Sequence, residues 1–296
     1  MVCLHDMINL QYLLYLLFLQ QNKALLKKCF TLHDITEVNV LILAIDIGNT
    51  NIVFGVYDNL KLLFYSRAKT DPLKTEHEYA ALIKELLSLK NVSRDQITDA
   101  AISSVVPALT ITMAGAAKII CGCEPLVIGP GIKTGLNIRT NNPNEVGADL
   151  VCTSVGAIEK YKLPAIIMDL GTATKIIAVD HTKSFMGCSI APGIMVSLNA
   201  LSTSAAQLPH IGISTHIKTI GTNTIDCMLS GTILGAASML DGMLTRYHEV
   251  MGEVKTVVAC GGLVNAIVPH CTTKDIIIDE SLLLDGLMAI YRRNRL

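Results

Sequence analysis

Leu41-Ile42-Leu43-Ala44-Ile45-Asp46-Ile47-Gly48-Asn49-Thr50 is an apolar run that ends in an aspartate and breaks into a glycine turn carrying amide and hydroxyl side chains. The pattern returns as Ala165-Ile166-Ile167-Met168-Asp169-Leu170-Gly171-Thr172-Ala173-Thr174. Runs of this length, bounded by turn residues, read as buried strands. A carboxylate at a strand end can hold a metal ion directly or through water. A glycine lets the backbone approach phosphate oxygens, to which turn N–H groups and threonine hydroxyls donate. One Asp-x-Gly turn is an ordinary hairpin signal. Its recurrence in a chain of 296 residues points to a duplicated fold that closes on a nucleotide from both sides.

Outward from the first motif, Ile52–Tyr57 and Leu60–Ser66 read as two more strands, with Asp58-Asn59 at the turn between them. Thr75-Glu76-His77-Glu78 is a capping box, and Tyr79, Leu82, Ile83, Leu86 and Leu87 follow at helical spacing. Ala100–Val106 and Pro125–Ile128 read as strands separated by a helix near Leu109–Ile120. Asn142-Pro143-Asn144-Glu145 reads as a helix start, which sets Asp149 in the second turn. Around the second motif, strands at Ala165–Asp169 and Thr174–Asp180 precede a helix over Asn223–Tyr247. A strand at Thr256–Ala259 then runs into Cys260-Gly261-Gly262, and a helix covers Ser281–Arg292. Strand clusters alternating with helices, twice over, indicate an α/β protein with two related lobes.

Composition narrows the function classes. Hydrophobic residues make up 51% and charged residues 17%, which excludes a disordered chain. Net charge is −1, and no basic stripe is visible, which argues against a nucleic-acid partner. The 9 cysteines have no regular spacing and are expected to be reduced, in a cytoplasmic protein. Cys121-Gly122-Cys123 lacks the second Cys/His pair that a structural zinc needs. The histidines show no ligand-like spacing.

Residues 1–40 differ from the rest. Ile8–Leu19 is apolar but too short to span a bilayer as a helix. It lacks the basic flank and cleavage site of a signal peptide. Lys23, Lys27 and Lys28 among leucines admit an interfacial helix. The reading adopted is an extension outside the fold, with no stable membrane association. The expected organisation is 1–40 as the extension, 41–157 as the first domain and 158–296 as the second.

With these motifs in place, the chain resembles the type III pantothenate kinases, a family of the actin, hexokinase and acetate-kinase superfold. The resemblance spans about Leu41 to Asn294. It rests on Asp46-x-Gly48-Asn49-Thr50, Asn142-Pro143-x-Glu145-Val146-Gly147-Ala148-Asp149, Asp169-x-Gly171-Thr172-Ala173-Thr174, Ala191-Pro192-Gly193, Ala206-x-Leu208-Pro209, Ile220-Gly221-x-Asn223-Thr224, Ser230-Gly231 and Gly261-Gly262. It implies two actin-like (ribonuclease H-like) domains with a nucleotide cleft between them. It also implies a homodimer that phosphorylates pantothenate with ATP, the first step of coenzyme A biosynthesis, using Mg2+ and a monovalent cation (K+ or NH4+). Carried over residue by residue, Asp46, Ile47, Gly48, Asn49, Thr50, Asn51, Ile52 and Val53 bind ATP, with Asp46 near the metal. Thr172 contacts ATP, and Gly261 and Gly262 lie near the adenosine. Asp169 binds the monovalent cation. Asp149 accepts the proton. Thr140, Gly147, Ala148 and Leu150 line the pantothenate pocket, and Thr224 reaches it from the partner subunit.

The chain departs from the family at five positions. Leu150 stands where an Arg is usual and Thr140 where a Tyr is usual. Loss of the Arg removes a charge partner for the substrate carboxylate; Arg139 and Lys133 are the nearby replacements in sequence. The second motif ends Thr174-Lys175 instead of Thr-Thr, and Lys175 either meets phosphate or, on the reading preferred, is solvated. Cys188 and Cys260 replace a glycine and a threonine. Nucleotide residues are thus better kept than acceptor residues. That leaves two alternatives, a non-catalytic regulatory protein on the same fold and a kinase for another small hydroxy acid.

Overall fold

The computed structural model describes residues 41–214 and 216–295. The expectations for Ile8–Leu19 and the rest of 1–40 lie outside the described residues. The remainder forms one compact unit.

Two mixed sheets carry the fold. The first contains β1 (Leu41–Ile47), β2 (Asn51–Asp58), β3 (Lys61–Lys69), β4 (Ile97–Ser104) and β5 (Leu126–Val127), in the order β3-β2-β1-β4-β5. The second contains β6 (Asn137–Ile138), β7 (Ala165–Leu170), β8 (Ala173–Val179), β9 (Ser184–Pro192), β10 (Thr256–Cys260) and β11 (Ile276–Ile278), in the order β11-β10-β7-β8-β9-β6. Apart from the edge strand β6, the second order repeats the first. β1 pairs antiparallel with β2 and parallel with β4, as β7 pairs antiparallel with β8 and parallel with β10. The duplication expected from the two motifs is therefore a duplication of topology. Each motif ends the central strand of its sheet, where the chain turns to opposite sides, the usual ligand crevice of α/β sheets.

Side-chain alternation decides what each strand end faces. From β1, Leu41, Leu43, Ile45 and Ile47 pack with α1 (Glu76–Ser88) and α2 (Pro107–Cys121). Ile42 and Ala44 point the other way, onto α3 (Ala148–Lys160) and the C-terminal helix Leu282–Arg295. Asp46 shares their parity and so faces α3. In β7, Ile166, Met168 and Leu170 pack against the outer helices of the second lobe, while Ile167 packs with Leu150 of α3. Asp169 shares the parity of Ile167. Both motif aspartates therefore look inward onto one helix.

The capping box of α1 forms as read. Thr75 N donates to Glu78 Oε2 at 2.8 Å, and Glu78 N to Thr75 Oγ1 at 3.4 Å. Helix α3 lies between the sheets and is buried from Asp149 to Ile158. Its Val151, Cys152 and Val155 join the first sheet's inner core, and its Leu150, Ala157 and Ile158 the second's. The expected boundary between residues 157 and 158 falls inside this helix.

The outer face of the second sheet is covered by α4 (Ile194–Ser204), α5 (Thr224–Leu229), α6 (Gly235–Met251) and α7 (Val264–Ile267), with α8 (Leu282–Arg295) returning to pair with α3. A single π-turn at Ser230–Leu234 joins α5 to α6. The resulting run Thr224–Met251 is 28 residues long, the one described helix long and apolar enough to cross a bilayer by length and composition.

Candidate functional site

Three carboxylates converge where the two central strands end against the start of α3. Gly147 is the N-cap of that helix and Asp149 lies in its first turn. The sequence-based expectation of a second-turn position needs correcting. Pro143–Glu145 makes only a 3-10 turn, Val146 then goes extended at φ −74°, ψ 116°, and a new helix begins. The reset matters chemically, because an acid in the first turn sits in the positive end of the helix dipole. Asp149 Oδ1 accepts from the Leu150 N–H at 2.8 Å. A Cβ on Gly147 would lie 2.5 Å from that same Oδ1, so only glycine leaves room for the Asp149 carboxylate in this position.

The two motif turns meet. Thr50 Oγ1 and Thr172 Oγ1 are 2.9 Å apart, a hydrogen bond between the lobes. In the first turn Gly48 N donates to Asn51 O at 3.0 Å, and in the second Gly171 N donates to Ala173 O at 3.2 Å. Asn49, Thr50 and Asn51 are exposed at this mouth, while Ile52 is core and Val53 packs against the inner core. The Gly261-Gly262 turn lies beside the second motif, where Leu263 N donates to Leu170 O at 3.3 Å.

Asp46 Oδ1 accepts from Ser103 Oγ at 2.9 Å. Ser103 is a site residue that sequence reasoning missed. The parallel register of β1 and β4 sets Ser103 opposite Asp46, as that of β7 and β10 sets Cys260 opposite Asp169. The available signal was the polar end Ser103-Ser104 of an otherwise apolar strand. Burial raises the Asp46 carboxyl to about 7; the Ser103 hydrogen bond opposes this, and the fields of Asp149 and Asp169 reinforce it. Burial likewise raises Asp169, against the pull of Lys175.

Lys175 overturns the reading of a solvated lysine. Its Nζ lies 2.6 Å from Asp169 Oδ2 and 2.7 Å from Asp149 Oδ2. The physical reason is register: β7 and β8 place Asp169 directly opposite Lys175, on the cleft face.

Leu150 also departs from expectation. It is 8% exposed and packs with Ile167, Ile177 and Phe185 in the core, so it is not a polar or exposed wall of the pocket. As Asp149's neighbour on a helix, it is turned about 100° away from the aspartate. Arg139 is not a free replacement cation. It pairs with Asp180 at 3.1 Å and donates to Thr182. The backbone of Lys133 is tied to Asn294 on α8. Thr140 Oγ1 is buried without a hydrogen-bond partner among the described residues. Thr224 is the exposed first residue of α5, capped by Asn223, and it makes no hydrogen bond to these cleft residues.

An acid held near pH 7 carries a stability signature. The folded carboxyl of Asp46 titrates above its ordinary value of 3.8, so folding favours the protonated form. Its contribution to stability falls as pH climbs from about 4 to about 7. Asp46→Asn is therefore expected to melt higher than the parent at pH 8 without nucleotide, by about 2–4 °C for each kcal/mol relieved. The two proteins should converge at pH 4. Calorimetry that finds the variant less stable at pH 8 would contradict the assignment.

A sequence model of the type III pantothenate kinase family matches residues 42–246. The protein named type III pantothenate kinase from Exiguobacterium sp. is 44% identical over 255 residues, covering 86% of this chain and 100% of that protein. The one from Halalkalibacterium halodurans is 43% identical over 254 residues, with 86% and 100% coverage. Among solved structures, a Campylobacter jejuni protein described as a Baf family transcriptional activator superposes with a TM-score of 0.54 at 17% identity, covering 85% of this chain and 98% of that one. That likeness bears on the fold alone.

Proposed function

This chain belongs to the type III pantothenate kinase family, and we propose from that premise that it transfers the γ-phosphoryl group of ATP to the primary hydroxyl of pantothenate, the first step of coenzyme A biosynthesis. The observation that carries the reading at residue level is the convergence of Asp46, Asp149 and Asp169 beneath the Thr50–Thr172 contact. Phosphoryl transfer asks for alignment and charge neutralisation more than for covalent chemistry. The turns Asp46–Val53 and Gly171–Thr172 supply N–H and hydroxyl donors from both lobes, and triphosphate oxygens replace the Thr50–Thr172 hydrogen bond. Gly261 and Gly262 border the adenosine.

Asp149 is the proton acceptor. Leu150 N–H holds one of its oxygens and Lys175 the other, so the carboxylate is aimed before substrate arrives. Gly147, Ala148 and the unpartnered Thr140 hydroxyl form the wall of the pantothenate pocket. The residues fit Mg2+: three carboxylates face a single ammonium, leaving two negative charges uncompensated when all are ionised. Asp46 would hold it. Among the described residues no cluster of three or more His, Cys, Asp or Glu side chains forms a cage. That suits a cation which keeps waters and relies on substrate phosphates. When bound, it neutralises charge on the transferring phosphate.

The enzyme acts as a homodimer in the cytoplasm. A groove of about 920 Å³ between α4 and the α5–α6 run is lined by Leu201, Cys227 and Met228 among others. Val196 and Ile225 beside it are 43% and 49% exposed. A second copy covers this apolar face and carries Thr224 to its partner's pocket. The test is one purified sample: 4′-phosphopantothenate formation with ATP and Mg2+, and molar mass in solution. The expected result is turnover that requires pantothenate and a mass twice that of the chain. Nucleotide binding without turnover on pantothenate would overturn the reading.

A further inference from the structure

Lys175 faces Asp169 across the β7–β8 hairpin, so its ammonium is delivered to the cleft by backbone register and not by a flexible surface excursion. Its side chain is only 17% exposed. The two separations, 2.6 and 2.7 Å, are those of charge-assisted hydrogen bonds. Desolvation alone would press a lysine toward its neutral form. The attraction of Asp169 and Asp149 outweighs it, and the group is held above the ordinary lysine range. The two charge-assisted contacts fix a positive charge between the two carboxylates. The half-buried Cys188 thiol, the buried Cys260 thiol opposite Asp169, and Asp46 are the other titratable groups around it.

That place is the one assigned to potassium or ammonium at Asp169, and the residues do not fit such an ion. A lysine ammonium has three donors and no acceptor, so it offers a second cation nothing. Two donors are used on Asp169 and Asp149, which leaves one for a substrate or phosphate oxygen. A free cation on Asp169 Oδ2 would stand against Nζ as a like charge in a low-dielectric cleft, where repulsion is strong. The charge balance around the three aspartates still calls for a divalent ion, which Lys175 does not replace.

We infer that Lys175 is a built-in monovalent cation: its tethered ammonium bridges Asp149 and Asp169, aims the Asp149 carboxylate, and frees phosphoryl transfer from added potassium or ammonium. The inference rests on the reading that these two aspartates border the transfer site. Lys175 is a positioning residue in it, acting through Asp149.

The experiment uses the full chain in buffer free of potassium and ammonium, with ionic strength held by tetramethylammonium chloride. Titrating either cation should change the parent's rate by less than about twofold, while Lys175→Thr should lose at least about tenfold and regain most of it with either ion. Potassium should leave the parent's melting temperature unchanged and raise that of Lys175→Thr, as a ligand of the folded state does. Activation of the parent by about fivefold or more, or a variant that keeps its rate without the ions, would overturn the inference. So would a loss that neither ion restores. If Lys175→Thr does not fold, the parent titration decides. If the chain turns over no pantothenate, the melting series still reads cation competition, and potassium stabilisation of the parent would count against Lys175 alone.

Discussion

Asp149→Asn is expected to lower kcat by about 10²–10⁴-fold, the range in which a positioned proton acceptor acts. The apparent affinity for ATP should move little, because the proposed phosphate donors belong to the β1–β2 and β7–β8 turns and not to the substituted helix. Asp149 has two occupied oxygens, one on Leu150 N–H and one on Lys175 Nζ. Asparagine keeps the shape but has one acceptor oxygen. It must give up either the backbone donor or the lysine, and in the second case it turns an NH2 group toward an ammonium. The substitution therefore removes the proposed proton acceptor and loosens the aim of what is left. Steady-state assays should show the loss in kcat with KM for ATP within about threefold of the parent. A variant with near-normal kcat would show that the hydroxyl proton leaves by another route.

How much of this site could be read before the structure depended on the kind of information involved. Asp46 and Asp169 were legible because each ends a continuous apolar run, and a fully buried strand has only one place to put a carboxylate, its end. Their common orientation follows from strand parity. Asp149 was legible as a residue but misplaced in its helix, since Pro143 signals a helix start whether the turn propagates or not. Here it stops after Glu145, and Val146 goes extended before Gly147 caps the real helix. Lys175 was misread because its contacts are cross-strand: nothing local distinguishes a lysine opposite a buried aspartate from one facing water. The two-residue link Gly171-Thr172 holds the answer, since a turn that short fixes Asp169 opposite Lys175. Leu150 was misread for the opposite reason. A family position was carried over, and the helical rotation of one residue sends its side chain into the core. Ser103 reaches Asp46 only through parallel pairing with a strand far along the chain, which sequence patterns do not give.

Gly286→Ala is expected to destabilise the protein by at least about 3 kcal/mol, the upper range of overpacking in a close-packed core. Helices α3 and α8 cross where Gly156 and Gly286 let their backbones touch. A Cβ on Gly286 would overlap the Cys152 carbonyl oxygen and lie 2.6 Å from the Gly156 nitrogen. Both obstacles are backbone, so no side-chain rotation relieves them. The helices must separate, and both are fixed on the far side by the cores of the two sheets. The ion pairs of Lys160 with Asp279 and Asp285, at 2.6 Å each, tie α3 to the start of α8 and would be stretched by the same movement. The consequence extends to chemistry, because α3 carries Asp149 at its first turn. Misplacement of a reacting group by about 1 Å can cost 10²-fold in rate, so molecules that still fold should turn over poorly. Gly129→Ala is the matched control: a Cβ there meets nothing within 4 Å, and its stability should stay within about 0.5 kcal/mol of the parent. Chemical denaturation of the two variants side by side measures the difference. Equal stabilities would mean that α3 and α8 can part without cost, and that the helix bearing Asp149 is not held by this crossing.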